Sequence, residues 1–176
     1  MEIPRTVTKG WPVTIEVAQT VPGPPPVVWE LLTDWEHQGD WMLEARDFKV
    51  ISEQREGVGV EAEASISIGG ITTRDIVTVV GWEPNRRLAI EHKGWVSGIG
   101  EIHLTPLGND RTHIFWREEL QPPVGFLGAM GLTAFKPLMT RIFRRDLKVL
   151  SGLVRARATA GAPKKAKSPS RKQPPA

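Results

Sequence analysis

At 176 residues, with 40% hydrophobic and 24% charged residues, the chain is long enough for one domain with a substantial core. It has no cysteine, which excludes a disulfide framework and a thiolate metal site. The net charge of +3 belongs to the C-terminal end: five basic residues (Lys164, Lys165, Lys167, Arg171, Lys172) and no acids lie beyond residue 158, and the remainder balances at −2, so the body lacks the basic surface that nucleic-acid binding requires.

Met1 to Arg5 has neither the basic start nor the apolar run of a secretory signal, and no stretch of about 18 apolar residues occurs. The expectation is a cytoplasmic protein with no transmembrane segment. Trp11 to Thr20 alternates Val13, Ile15 and Val17 with polar Thr14 and Glu16, which predicts a half-buried strand. Pro22 to Pro26 break it, and a proline at a first helical position is well tolerated. The following VVWELLTDW places Val28, Leu31, Leu32 and Trp35 on one helical face, with a second short helical turn over Glu36 to Trp41.

From Phe48 the period becomes two. Val60, Ala62, Ala64, Ile66 and Ile68 alternate with Glu61, Glu63, Ser65 and Ser67, and Gly69-Gly70 signals a hairpin. Strands follow over Ile71 to Trp82, Leu88 to Lys93, Glu101 to Pro106 and Arg111 to Leu120, with turns expected at Glu83 to Arg86, Ser97-Gly98 and Leu107 to Asp110. Hairpin spacing without intervening helices predicts an antiparallel sheet. After Gln121-Pro122-Pro123 the period is helical again, with Phe135, Leu138, Met139, Ile142, Phe143, Leu147, Leu150 and Val154 as an apolar stripe. Gly125, Gly128 and Gly131 suggest a loosely wound beginning, and Pro137 marks a true start or a kink. This order predicts an N-terminal extension (residues 1–10), one domain (11–158) and a disordered Lys/Pro-rich basic tail (159–176).

Strand, two short helices, antiparallel strands and a long final helix is the order of the helix-grip fold. The pieces Pro24 to Asp34, Trp41 with Glu44, Gly81 to Leu88 and Arg111 to Glu119 resemble the SRPBCC (START-like) superfamily, in particular its bacterial polyketide cyclase/dehydrase and lipid transport branch. That resemblance implies an α+β helix-grip fold: a curved antiparallel sheet of six or seven strands wrapped around a long C-terminal helix. It also implies an apolar cavity between them that binds a lipid, polyketide or similar hydrophobic small molecule, with enzymatic activity in only some branches.

Several residues are candidates for such a site. His92 shares a strand face with Leu88 and Ile90; it reads as a general acid/base, a hydrogen-bond partner for a ligand, or a satisfied core residue. Arg117 shares a face with His113 and Phe115 and would meet a ligand oxygen if that face looked inward; a salt bridge to Glu101 or Glu119 is the alternative. His92 and Arg117 are the catalytic candidates of a cyclase reading, which needs them in one pocket. Trp41 and Trp95 offer flat aromatic surface, and Ile66, Ile90, Phe115, Met130, Phe135 and Met139 complete the expected apolar lining. Arg74 and Asp75 lie on a strand that is apolar on both faces. Glu101 and His103 share the face opposite Ile102 and Leu104, which predicts solvation. The four histidines lack ligand spacing, and no phosphate loop, dinucleotide fingerprint or G-x-S-x-G elbow occurs, so no metal, cofactor or nucleophile is expected. The tail leaves open an accessory or toxin-like role through charge, and the sequence leaves monomer and dimer equally open.

Overall fold

The computed structural model describes residues 11–161, apart from 69 and 124. The expected N-terminal extension and residues 162–176 of the basic tail lie outside the described residues. The elements follow as β1 (Val13–Val21), α1 (Pro25–Thr33), a 3-10 turn (Trp35–Asp40), β2 (Ala45–Val50), β3 (Glu61–Ile68), β4 (Ile71–Glu83), β5 (Arg87–Lys93), β6 (Ser97–Pro106), β7 (Thr112–Gln121) and α2 (Gly125–Gly161). All seven strands form one antiparallel, open and curved sheet in the order β1-β7-β6-β5-β4-β3-β2, gripping α2 as the helix-grip fold requires.

Alternation decides which side chains enter the core. Along β7 every second residue is buried, so Thr112, Ile114, Trp116, Glu118 and Leu120 face inward while His113, Phe115, Arg117 and Glu119 face out. β1 pairs with β7 at one edge, and α1 and the 3-10 turn carry the chain across to β2 at the other. Two expected boundaries move. Ser97 and Gly98 are strand residues paired with Gln121 and Leu120, and the turn is Gly94 to Val96. β2 begins at Ala45, before Phe48, and its register shifts between Arg46 and Lys49, where Asp47 has φ 52°.

α2 is continuous, with Pro137 inside it. Phe143, Leu147, Leu150 and Val154 form its buried stripe, and Met139 and Ile142 pack partly against the core. Tracing that stripe back at helical spacing brings Leu132 and Ala129 inward, not Phe135 and Leu138. Phe135 is therefore 56% exposed, Leu138 42%, Met130 56% and Leu127 69%. Among the described residues no helix is long and apolar enough to cross a membrane.

One polar cluster fastens α2 to the segment before β2. The Arg145 guanidinium donates through Nη2 to Glu44 Oε2 at 2.7 Å and to Asp146 Oδ1 at 2.8 Å, and Asp146 is fully buried. Burial, with the neighbouring Asp146 carboxyl next, pushes Glu44 up to about 7. A carboxyl raised above its ordinary value of 4.5 holds a proton in the folded state that the unfolded chain has released, so stability falls as pH rises from 4.5 through about 7. Glu44→Gln is expected to flatten that slope and to add about 1–2 kcal/mol near pH 8, after allowance for screening by water. Urea unfolding on both sides of the window measures it.

Candidate functional site

The inner face of the sheet, the 3-10 turn and the loop after it enclose a cavity of about 60 Å3. Its walls are largely apolar: Leu32, Trp35, Trp41 and Met42 on one side, Ala64, Ile66, Val77, Ile90 and Ile102 on the other. A wider, open groove of about 320 Å3 lies outside, between Leu31, Trp41 and Leu153, but the His37 and Arg157 side chains on its rim are already paired with Asp34 and Glu30.

Three charged side chains interrupt the apolar wall of the inner cavity. Asp75 comes from β4, His92 from β5 and Glu118 from β7. His92 Nδ1 lies 2.6 Å from Asp75 Oδ2, and its Nε2 lies 3.4 Å from Glu118 Oε2. The Trp116 indole N–H donates to Glu118 Oε1 at 2.7 Å. Glu118 is 3% exposed and Asp75 9%, so both carboxylates sit in a low-dielectric setting. Burial alone would drive the imidazole towards its neutral form; the charge of Glu118 and the hydrogen bond to Asp75 outweigh it and push His92 up to about 10. The raised value favours a protonated His92 at neutral pH, with Nδ1–H donating to Asp75.

Glycines make room for this arrangement. Gly100 of β6 faces Glu118 across the ladder, and a Cβ there would stand 2.4 Å from Glu118 Oε1. With no side chain at Gly100, residues of β5 and β7 meet over the intervening strand. Gly94, in the β5–β6 turn, leaves the same space beside Asp75, where a Cβ would approach Oδ1 to 2.6 Å.

The cluster is incompletely satisfied. Asp75 Oδ1, His92 Nε2, Glu118 Oε2 and the Trp41 indole nitrogen are buried without a hydrogen-bond partner among the described residues, and all four residues line the cavity. Among the described residues no group of three or more His, Cys, Asp or Glu is placed to hold a metal ion.

The structure brings Trp41, Ile66, Ile90 and His92 together at the cavity. It places other expected site residues elsewhere. Phe115 and Arg117 face outward because β7 alternates in phase with buried Trp116; Phe115 lies beside His103, and Arg117 pairs with Glu16 and Glu119. Trp95 is 69% exposed at the tip of the β5–β6 turn. Met130 and Phe135 are exposed on α2, and Met139 packs against the core without lining the cavity. His92 and Arg117 therefore do not converge, which removes the geometry that pairing them for cyclisation required. Glu101 and His103 are on the outer face, where Glu101 also accepts from Arg87. Sequence reasoning missed Glu118, although the β7 period that buries Ile114 and Trp116 includes it.

Solved structures with the same fold include TTHA0849 from Thermus thermophilus (21% identity, covering 83% of this chain and 99% of that one, TM-score 0.67). The Zhui aromatase/cyclase from a Streptomyces species aligns with TM-score 0.72 at 20% identity, over 85% of this chain and 98% of that one. A START superfamily protein from Mycobacterium smegmatis aligns with TM-score 0.61 at 15% identity, over 84% and 97%. No protein of curated function matches the sequence. The family described as polyketide cyclase / dehydrase and lipid transport matches residues 12–155, and the chain belongs to that family.

Proposed function

We propose that this protein binds a hydrophobic small molecule, a lipid, polyketide or similar compound, in the cavity between the sheet, the 3-10 turn and the loop after it, and that it does so without catalysis. Contrary to the expectation from sequence, no described residue of α2 forms a wall of that cavity. The observation that carries the reading is an apolar cavity with one buried, incompletely paired polar cluster, Asp75–His92–Glu118, in its wall. Apolar burial supplies affinity at about 25 cal/mol per Å2, and the cluster sets orientation. The family and the aromatase/cyclase among its structural neighbours support hydrophobic binding in general terms.

The alternative, a cyclase- or dehydratase-type enzyme, draws on the 2.6 Å His92–Asp75 contact. A general base works best with a pKa near the working pH, and His92, pushed up to about 10, already holds its proton at neutral pH. That favours orientation over proton abstraction. The cavity of about 60 Å3 is well below the roughly 300–1,000 Å3 of drug-sized sites, so a larger ligand enters only as the walls move apart.

Native mass spectrometry of protein purified from its own cells is expected to show a reproducible apolar adduct, lost in Ala64→Leu, which fills the cavity from β3. A bare mass in folded wild-type protein, with no small molecule recovered on extraction, would overturn the carrier reading.

A further inference from the structure

The cavity's polar atoms have a sign, and the sign restricts what can enter. Two carboxylates face one imidazole, so the cluster carries excess negative charge whether or not His92 is protonated. None of the described residues lining the cavity is Lys or Arg. Arg117, the one cation of β7, is on the opposite face of the sheet with Glu16 and Glu119. Asp75 Oδ1 and Glu118 Oε2 have no hydrogen-bond donor among the described residues, Glu118 Oε2 keeping only the 3.4 Å ion pair with His92 Nε2, and the Glu118 side chain is 4% exposed and that of Asp75 12%. A buried acceptor without a partner is costly, and a buried charge facing a like charge more so.

We propose that the cavity selects apolar ligands whose polar end donates hydrogen bonds, a hydroxyl or an ammonium group, and rejects those ending in a carboxylate or phosphate. The inference rests on the cavity being a ligand site and adds the chemical class of ligand. A hydroxyl or ammonium hydrogen that reaches Asp75 Oδ1 or Glu118 Oε2 satisfies an acceptor that the fold leaves open. An anionic end would meet two carboxylates, and the one imidazolium of the lining, His92, is already engaged by both. A hydroxyl can in addition accept from the Trp41 indole N–H, which is also without a partner among the described residues. Asp75 and Glu118 are buried strand residues for which Gly94 and Gly100 leave room, so the selectivity belongs to the sheet and not to a mobile surface group.

Four single-ring probes of nearly equal apolar size test this: toluene, benzyl alcohol, benzylamine and benzoate. Each is titrated into the wild-type protein near neutral pH and followed through the Trp41 and Trp116 indole N–H resonances. Benzyl alcohol and benzylamine are expected to bind at least about tenfold tighter than benzoate, the scale of one charge-assisted hydrogen bond. Toluene should fall between them. Glu118→Gln and Asp75→Asn each remove one negative charge and are expected to narrow the gap with benzoate by a similar factor. The comparison among probes in wild-type protein stands alone should either variant fail to fold. Benzoate binding as tightly as benzyl alcohol would overturn the selectivity while leaving the cavity a ligand site. No shift of either indole signal with any probe would overturn the cavity reading itself.

Discussion

His92→Gln is expected to destabilise the protein by about 3–5 kcal/mol at neutral pH, because it leaves two buried carboxylates without the charge that neutralises one of them. For a chain of this size that is a fall in melting temperature of roughly 10 °C. The sign with pH follows from the raised value: an imidazole held at about 10 in the fold and 6.5 in the unfolded chain contributes fully below 6.5 and loses that contribution as pH rises through 10. The gap between wild type and variant should therefore persist through neutral pH and shrink in alkali. Replacing all three charged residues, as Asp75→Asn, His92→Gln and Glu118→Gln together, should recover much of the loss, since a neutral polar cluster has no charge to leave stranded. A single variant that melts with wild type would mean that His92 carries no charge in the fold.

Trp116→Ala should be as severe, about 3–5 kcal/mol, for a different reason. Its ring stacks on Phe143 of α2 at 4.3 Å and meets Trp41 edge-on at 6.0 Å, so one side chain joins the sheet, the long helix and the cavity wall. It also supplies the hydrogen bond that fixes Glu118. Trp116→Phe separates these roles: it keeps an aromatic stack and removes the donor, at a cost of about 1.5–3 kcal/mol for a hydrogen bond to a charged group. Chemical denaturation of the two variants measures both terms. Equal losses would mean that the ring contributes nothing beyond its N–H.

The order of strands and helices was readable from the sequence because most elements carry a clear period, β3 and the second half of α2 above all. The site was readable in part. His92 declared itself as a lone polar side chain in phase with Leu88 and Ile90. Glu118 did not, because Arg117, Glu118 and Glu119 are three charges in a row and only continuity with Ile114 and Trp116 shows which one turns inward. Asp75 was ambiguous for the opposite reason: β4 carries apolar residues on both faces, and its pairing, with Ala64 opposite Asp75 and His92 opposite Val77, decides the matter. Arg117, Phe115 and Trp95 were attractive by chemical type, but strand phase puts the first two on the outer face of the sheet and turn position puts Trp95 in solvent. At the start of α2 Leu127, Met130, Phe135 and Leu138 are outside while Ala129 and Leu132 turn inward, so hydrophobicity alone picked the wrong face.

The irregularity in β2 bears on the edges of the open sheet. A curved sheet that does not close has two ends, and each could recruit a strand from another molecule. At the β2 end the shifted register, the left-handed Asp47 and the charges of Arg46, Asp47 and Lys49 interrupt the regular row of amide and carbonyl groups that an incoming strand would need. A foreign strand would have to straighten that bulge before it could zip on, so the short, kinked border strand is a built-in deterrent to aggregation.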